Sequence, residues 1–212
     1  MHVIAVAAQK GGAGKTTLAQ CLAVEGLKAG RKVAIVDMDP QQSVAKWGAR
    51  RVSQGISVPA VVVAGERPVK AAVAELRKQG AALIILDTPP LVSPQLNAAL
   101  EASTAVVLVT RPNPMDLDAL IETFAIVQRL GKPSSVIITQ APPAAQRARA
   151  LTLTRDRLEK AGIRVCPTAL TYTLSYPYAQ AEALALQERE PTSKARAELA
   201  EAWGWLLRCS IL

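Results

Sequence analysis

Along the 212-residue chain, short apolar runs rich in β-branched residues alternate with longer stretches whose apolar positions return every three or four residues. The runs fall at residues 2–8, 32–36, 58–63, 82–86, 105–109 and 135–139, with a shorter one at 164–166. Successive rather than alternate positions are apolar in them, which predicts strands covered on both faces. The stretches of helical period fall at 15–29, 41–53, 68–79, 115–130 and 145–161, followed by a C-terminal pair at 178–188 and 193–208. Pro191 stops the first of that pair, and Thr192 and Ser193 supply the N-cap of the second. Strand and helix following each other with few residues between them predict an α/β fold: a doubly wound, mostly parallel sheet flanked by helices, with ligand at the carboxyl ends of the strands. No repeat, low-complexity tract or long linker breaks the rhythm, so residues 1–212 are expected to form one domain.

Composition narrows this picture. Apolar residues make up 50% of the chain, ample for one core, and 25 Lys+Arg against 17 Asp+Glu give +8, which leaves room for an anionic partner. Three Trp, three Tyr and one Phe are too few for a single-strand binder built on stacked rings. Cys21, Cys166 and Cys209 form no C-x-x-C pair, which argues against a zinc site or a disulfide framework and fits a reducing cytoplasm. The apolar N-terminus has no basic region before it and runs into a glycine loop, so it is expected to be a strand and not a signal peptide. No run of 18 apolar residues occurs, and the final Cys-Ser-Ile-Leu is read as an ordinary end despite its formal match to a prenylation box.

The strongest chemical signal is Lys10-Gly-Gly-Ala-Gly-Lys-Thr-Thr17, placed between the first strand and the first helix. Glycines there let backbone N–H groups of Gly11, Gly12, Ala13 and Gly14 wrap around phosphates, and the following helix N-terminus favours their charge. Lys15 would neutralise the β and γ oxygens, and the Thr16 hydroxyl can hold Mg²⁺. The simple phosphate-loop pattern wants glycine at position 9, where Gln9 stands, so the pattern fits only from Gly14 onward.

The Lys10-Gly-Gly start resembles the deviant Walker A motif of the ParA/MinD family of ATPases. Asp37-Met-Asp-Pro-Gln41 is similar to that family's switch segment, and Leu86-Asp-Thr-Pro-Pro90 to its Walker B region; weaker similarity continues through Thr110-Arg-Pro and Ser193-Lys-Ala195. The resemblance implies a P-loop NTPase fold, ATP and Mg²⁺ as nucleotide and metal, slow Mg-dependent hydrolysis to ADP and phosphate, and a homodimer formed on ATP. It implies that Lys10 reaches into a partner's nucleotide, that Asp39 orients the attacking water, that Asp37 and Asp87 hold Mg²⁺ chiefly through water, and that Thr17 contacts the α-phosphate. Each acid taken alone also fits a solvated loop end. By the same analogy adenine packs near Thr139, Gln140, Pro142 and Pro167, although residues 140–144 fit equally well as a rigid loop set by two prolines. An iron–sulfur relative would need paired cysteines, which this sequence does not have.

Partners of the family include plasmid or chromosome DNA, membranes and protein cargo. Arg147, Arg149, Arg155, Arg157, Lys160 and Arg164, with Lys194, Arg196 and Arg208, could contact DNA phosphates without reading sequence, or could simply solvate their helices. Where many relatives place a basic residue, this chain reads Thr171-Tyr-Thr-Leu174, a departure that weakens transfer of DNA contacts. The first strand begins at residue 2, leaving no helix-turn-helix ahead of it, so operator-specific repression is not expected. The expectation is a short ParA-type partition or positioning ATPase, cytoplasmic and nucleoid-associated, with nonspecific DNA and a small hydrolysis-stimulating adaptor as partners. The alternative is a MinD-like membrane-associated regulator. Its tail would have to act through Trp203, Trp205, Leu206 and Leu207 with one basic residue, Arg208, a poor membrane anchor. His2 is expected to be a strand-edge side chain, and Trp47 a packing or interface residue.

Overall fold

The computed structural model describes residues 1–65, 67–90 and 93–212, without the side chains of 144–146. Among these residues, six strands form one sheet: β1 His2–Ala7, β2 Val33–Asp37, β3 Ala60–Val63, β4 Leu83–Asp87, β5 Ala105–Thr110 and β6 Ser134–Ile138. Their order is β3-β2-β4-β1-β5-β6, and every pairing is parallel. The helices are α1 Lys15–Lys28, α2 Ser43–Ser53, α3 Val69–Lys78, α4 Pro94–Ala102, α5 Pro114–Arg129, α6 Ala144–Lys160, α7 Ser175–Ala181, α8 Leu186–Arg189 and α9 Lys194–Arg208.

Alternation along β1 distributes its side chains between two cores. Ile4 and Val6 pack with α1, Val44 and Trp47 of α2, and Leu199, Trp203 and Leu206 of α9; Val3, Ala5 and Ala7 pack on the other face with α3, α4 and α5. Both faces are dry, which accounts for strand sequences without a polar side. α2 approaches the edge strand β3 so closely that a Cβ at Gly48 would stand 2.7 Å from Val61 Cγ2 and 2.9 Å from Val61 Cβ. Gly48→Ala is therefore expected to lower stability by about 1–3 kcal/mol in denaturant melts. An unchanged midpoint would show that α2 shifts freely.

Three expectations are corrected. The run at 164–166 is no strand; Val165 makes one bridge to Val136 of the edge strand β6. Residues 178–188 are not one helix, because Ala183 turns to φ 60° and the chain breaks between α7 and α8. The carbonyls there are committed to α2 side chains: Ala183 O accepts from Arg51 (3.0 Å) and Leu184 O from the Trp47 indole (3.2 Å). Finally α4, unforeseen, starts at Pro94 with Ser93 as N-cap accepting from the Leu96 N–H.

Candidate functional site

The loop after β1 owes its shape to two glycines in the left-handed region, Gly12 (φ 73°) and Gly14 (φ 87°). Gly14 is also the N-cap of α1 and offers no side-chain acceptor, so the first N–H groups of that helix stay open to an anion. The segment after β6 braces the loop from outside. Thr139 donates its hydroxyl to Ala13 O (2.7 Å), and the Gln140 amide donates to Gly12 O. Lys15 is only 6% exposed; burial lowers its pKa, opposed by Asp87 and Asp39. Thr16 Oγ1 donates to Asp87 Oδ2 at 2.7 Å.

Asp87 ends β4 fully buried, and its Oδ1 has no hydrogen-bond partner among the described residues. Burial pushes this carboxyl up to about 7, with the Thr16 hydroxyl pulling the other way. A buried carboxylate oxygen without a donor, beside a hydroxyl and a buried lysine, is a donor set that a hard divalent cation and phosphates would satisfy. Mg²⁺ and nucleotide phosphates thus fit these residues.

Asp37, at the end of β2, faces the start of α2. Oδ1 accepts from the Asp39 N–H (3.1 Å) and Oδ2 from the Ala45 N–H (2.8 Å), capping a helix whose own N-cap, Gln42, supplies no side-chain bond. Burial raises its pKa, and these backbone donors oppose the rise. Asp39 is half-buried, and its Oδ1 accepts from the Gln41 N–H (2.9 Å). Asp39 shares with Gly11, Gly12, Lys15 and Thr16 an open cleft of about 500 Å³. Lys10 is exposed and makes no hydrogen bond or ion pair among the described residues.

A model of the CobQ/CobB/MinD/ParA nucleotide-binding domain matches residues 4–177. The chain belongs to this family. It is 39% identical over 145 residues to the maintenance of carboxysome distribution protein A of Gloeobacter kilaueensis, covering 67% of this chain but 64% of that protein, less than two thirds of its length. It is 26% identical over 192 residues to the protein of the same name from Halothiobacillus neapolitanus, covering 86% of this chain and 85% of that one. The septum site-determining protein MinD from Pyrococcus horikoshii, solved with Mg-ADP, superposes with a TM-score of 0.77 over 99% of this chain and 97% of that one. At 17% identity that is a likeness of fold.

In this ParA/MinD-type chain a second, smaller cavity of about 160 Å³ adjoins the loop, lined by Gly14, Thr17, Thr139 and Gln140 together with the 170–173 segment and Tyr176. It is the apolar recess nearest the loop, suited to a nucleobase. Thr139 and Gln140 line this recess, whereas Pro142 and Pro167 line neither cavity. The sequence marks Thr171, Tyr172 and Thr173 only as a stretch without a basic residue and gives Tyr176 no role. The available signal was the apolar run at 164–166, since residues just beyond it fall at the carboxyl edge of the sheet.

The basic residues separate into two groups. Arg147 binds Ala169 O (2.9 Å) and Glu198 (3.2 Å), Arg155 binds the Cys166 and Pro167 carbonyls, Arg157 pairs with Asp118 and Arg196 with Glu25. Arg149, Lys160, Arg164, Lys194 and Arg208 are exposed and unpaired among the described residues. In the tail, Trp203, Leu206, Ile211 and Leu212 are buried in the core beside α1, and no helix among the described residues is long and apolar enough to cross a membrane. Trp47 is fully buried, a packing residue.

Asp87 makes the nucleotide-free protein pH-sensitive. Its folded pKa, about 7, lies above the ordinary 3.8, so the folded chain binds the extra proton and stability falls as pH rises from about 4 to about 7. The full penalty, on the order of a few kcal/mol, is present above that window. Asp87→Asn should flatten this slope and raise the metal-free melting temperature at about pH 8 relative to the parent. Equal pH slopes for the two proteins in thermal melts would contradict the assignment.

Proposed function

We propose that the chain is an ATP-driven positioning ATPase, acting through residues 1–212 as one ATPase unit. In this reading Gly11, Gly12, Ala13 and Gly14 wrap the phosphates with their N–H groups, Lys15 sits against the β and γ oxygens, and Thr17 meets the α-phosphate. Thr16 and Asp87, with Asp37 through water, hold Mg²⁺, which when bound offsets charge on the transferring phosphoryl group. Asp39 holds the attacking water. Thr139 and Gln140 brace the loop and edge the base recess. The observation that carries the dimeric part is Lys10: Lys15 already serves its own chain's phosphates, while Lys10 stands exposed and uncommitted at the mouth of the loop. A second copy brought face to face would receive it, offsetting the repulsion of two triphosphates, so ATP favours the homodimer.

The dimer binds DNA nonspecifically through the uncommitted basic residues Arg149, Lys160, Arg164, Lys194 and Arg208, placing the protein on the nucleoid in the cytoplasm. Its cargo is plasmid, chromosome or a protein assembly, and the carboxysome distribution relatives favour the last. A small adaptor stimulates hydrolysis. Against the membrane alternative, Trp203, Leu206, Ile211 and Leu212 are turned into the core and Trp205 is partly buried, which leaves Leu207 as the exposed apolar side chain beside Arg208. A DNA mobility shift beside liposome flotation tests the reading. We expect a shift with a nonhydrolysable ATP analogue but not with ADP, weakening with salt, and no flotation. Flotation without a DNA shift would overturn it.

A further inference from the structure

Gln180 of α7 lies in the wall shared by the phosphate cleft and the base recess. Its Nε2 donates to Thr17 Oγ1 at 3.0 Å and to Gln20 Oε1 at 2.7 Å. Gln20 is 2% exposed, and its amide oxygen, which can only accept, faces the NH₂ of Gln180 in this corner. The Thr17 hydroxyl is then an acceptor of the Gln180 hydrogen, and its own single proton has no acceptor among the described residues. Thr17 borders both cavities, so that proton is available on the nucleotide side.

Gln180 is itself held in place. Its backbone carbonyl accepts from Arg50 Nη2 of α2 (3.0 Å) and from the Ala183 N–H (3.1 Å). The turn that follows is fixed by the buried Arg51, which grips Glu188 with two nitrogens at 2.7 and 2.8 Å and stacks over the Trp47 ring at 4.6 Å. These contacts fix the backbone from which the Gln180 side chain reaches Thr17 and Gln20, and the bonds to those two residues hold its amide in place before a ligand arrives.

We propose that Gln180 is a positioning residue of the nucleotide site: it holds the Thr17 hydroxyl as an acceptor so that the hydroxyl proton is presented to the α-phosphate. The inference rests on the reading that Thr17 faces that phosphate. Because ATP and ADP share it, Gln180→Met should weaken both by about tenfold, the size of one well-placed hydrogen bond to a charged group. Gln180→Glu, of equal length, should bind worse than Gln180→Met, since its carboxylate would accept the Thr17 proton and repel the phosphates.

Titrations of labelled ADP and ATP against the single variants, Thr17→Val and the Thr17→Val/Gln180→Met double variant form the test. A residue that acts through Thr17 has nothing left to position once the hydroxyl is gone. The expected result is no further loss when Gln180→Met is added to Thr17→Val. A tenfold loss persisting in the double variant, or parental affinity in Gln180→Met, would overturn the proposal. If Gln180→Met does not fold, Gln180→Glu decides alone: parental affinity there overturns it. The underlying site reading fails separately, when Lys15→Ala and Thr17→Val both bind nucleotide as tightly as the parent.

Discussion

Lys15→Ala is expected to abolish measurable ATP and ADP binding, a loss of at least about a thousandfold, roughly 4 kcal/mol. Lys15 is a largely buried residue in the nucleotide-free chain, and burial already lowers its pKa. A charge held at that cost in a loop whose other groups are backbone N–H donors is recovered only when an anion arrives. The buried Asp87 nearby would make the emptied site net repulsive to phosphates. The variant should nevertheless melt cooperatively, because among the described residues the Lys15 ammonium makes no hydrogen bond or ion pair on which the core depends. Isothermal titration with ADP checks the first part, and retained affinity would remove the glycine loop from the site.

Asp39→Ala should bind ATP and assemble, yet hydrolyse at least about a hundredfold more slowly, the usual worth of a positioned acid–base group. The two switch carboxylates differ in how they are engaged. Both oxygens of Asp37 accept backbone N–H groups and tie down the start of α2, whereas Asp39 commits one oxygen to Gln41 and stands in the cleft. Truncating Asp37 should therefore disturb the loop itself, while truncating Asp39 should leave it in place and accumulate the ATP-bound dimer. Phosphate release in single turnover, beside sizing of the same sample, reads both effects. Parental turnover would take Asp39 out of the mechanism.

The glycine loop and the parallel sheet were legible in the sequence because both are set by neighbours along the chain. Spacing of glycines after an apolar run fixes a strand, a turn and a helix start, and apolar residues at successive strand positions announce helices on both faces. Contacts that join distant segments were not legible. Arg147 reads as a free cation in sequence but meets Ala169 O and, 51 residues later, Glu198, and those bonds remove it from the basic surface. The single helix expected at 178–188 fails for the same reason, since its break is dictated by Arg51 and Trp47 of α2. The apolar recess beside the loop depends on 170–173 folding back beside Gly14, a juxtaposition with no local signature. α4 was a different matter: Ser93-Pro94 is a helix-start signal, but the helix buries only Leu96, Ala99 and Leu100 and its periodicity is correspondingly weak.

Light scattering of the parent and Lys10→Ala proteins, each with a nonhydrolysable ATP analogue and with ADP, measures directly whether Lys10 makes assembly depend on ATP. The parent should double its mass with the analogue and stay monomeric with ADP. Lys10→Ala should still bind nucleotide, remain monomeric with both and lose the tight DNA binding that requires two basic surfaces together. A Lys10→Ala protein that dimerises and shifts DNA as the parent does, or a parent that dimerises equally on ADP, would contradict that dependence.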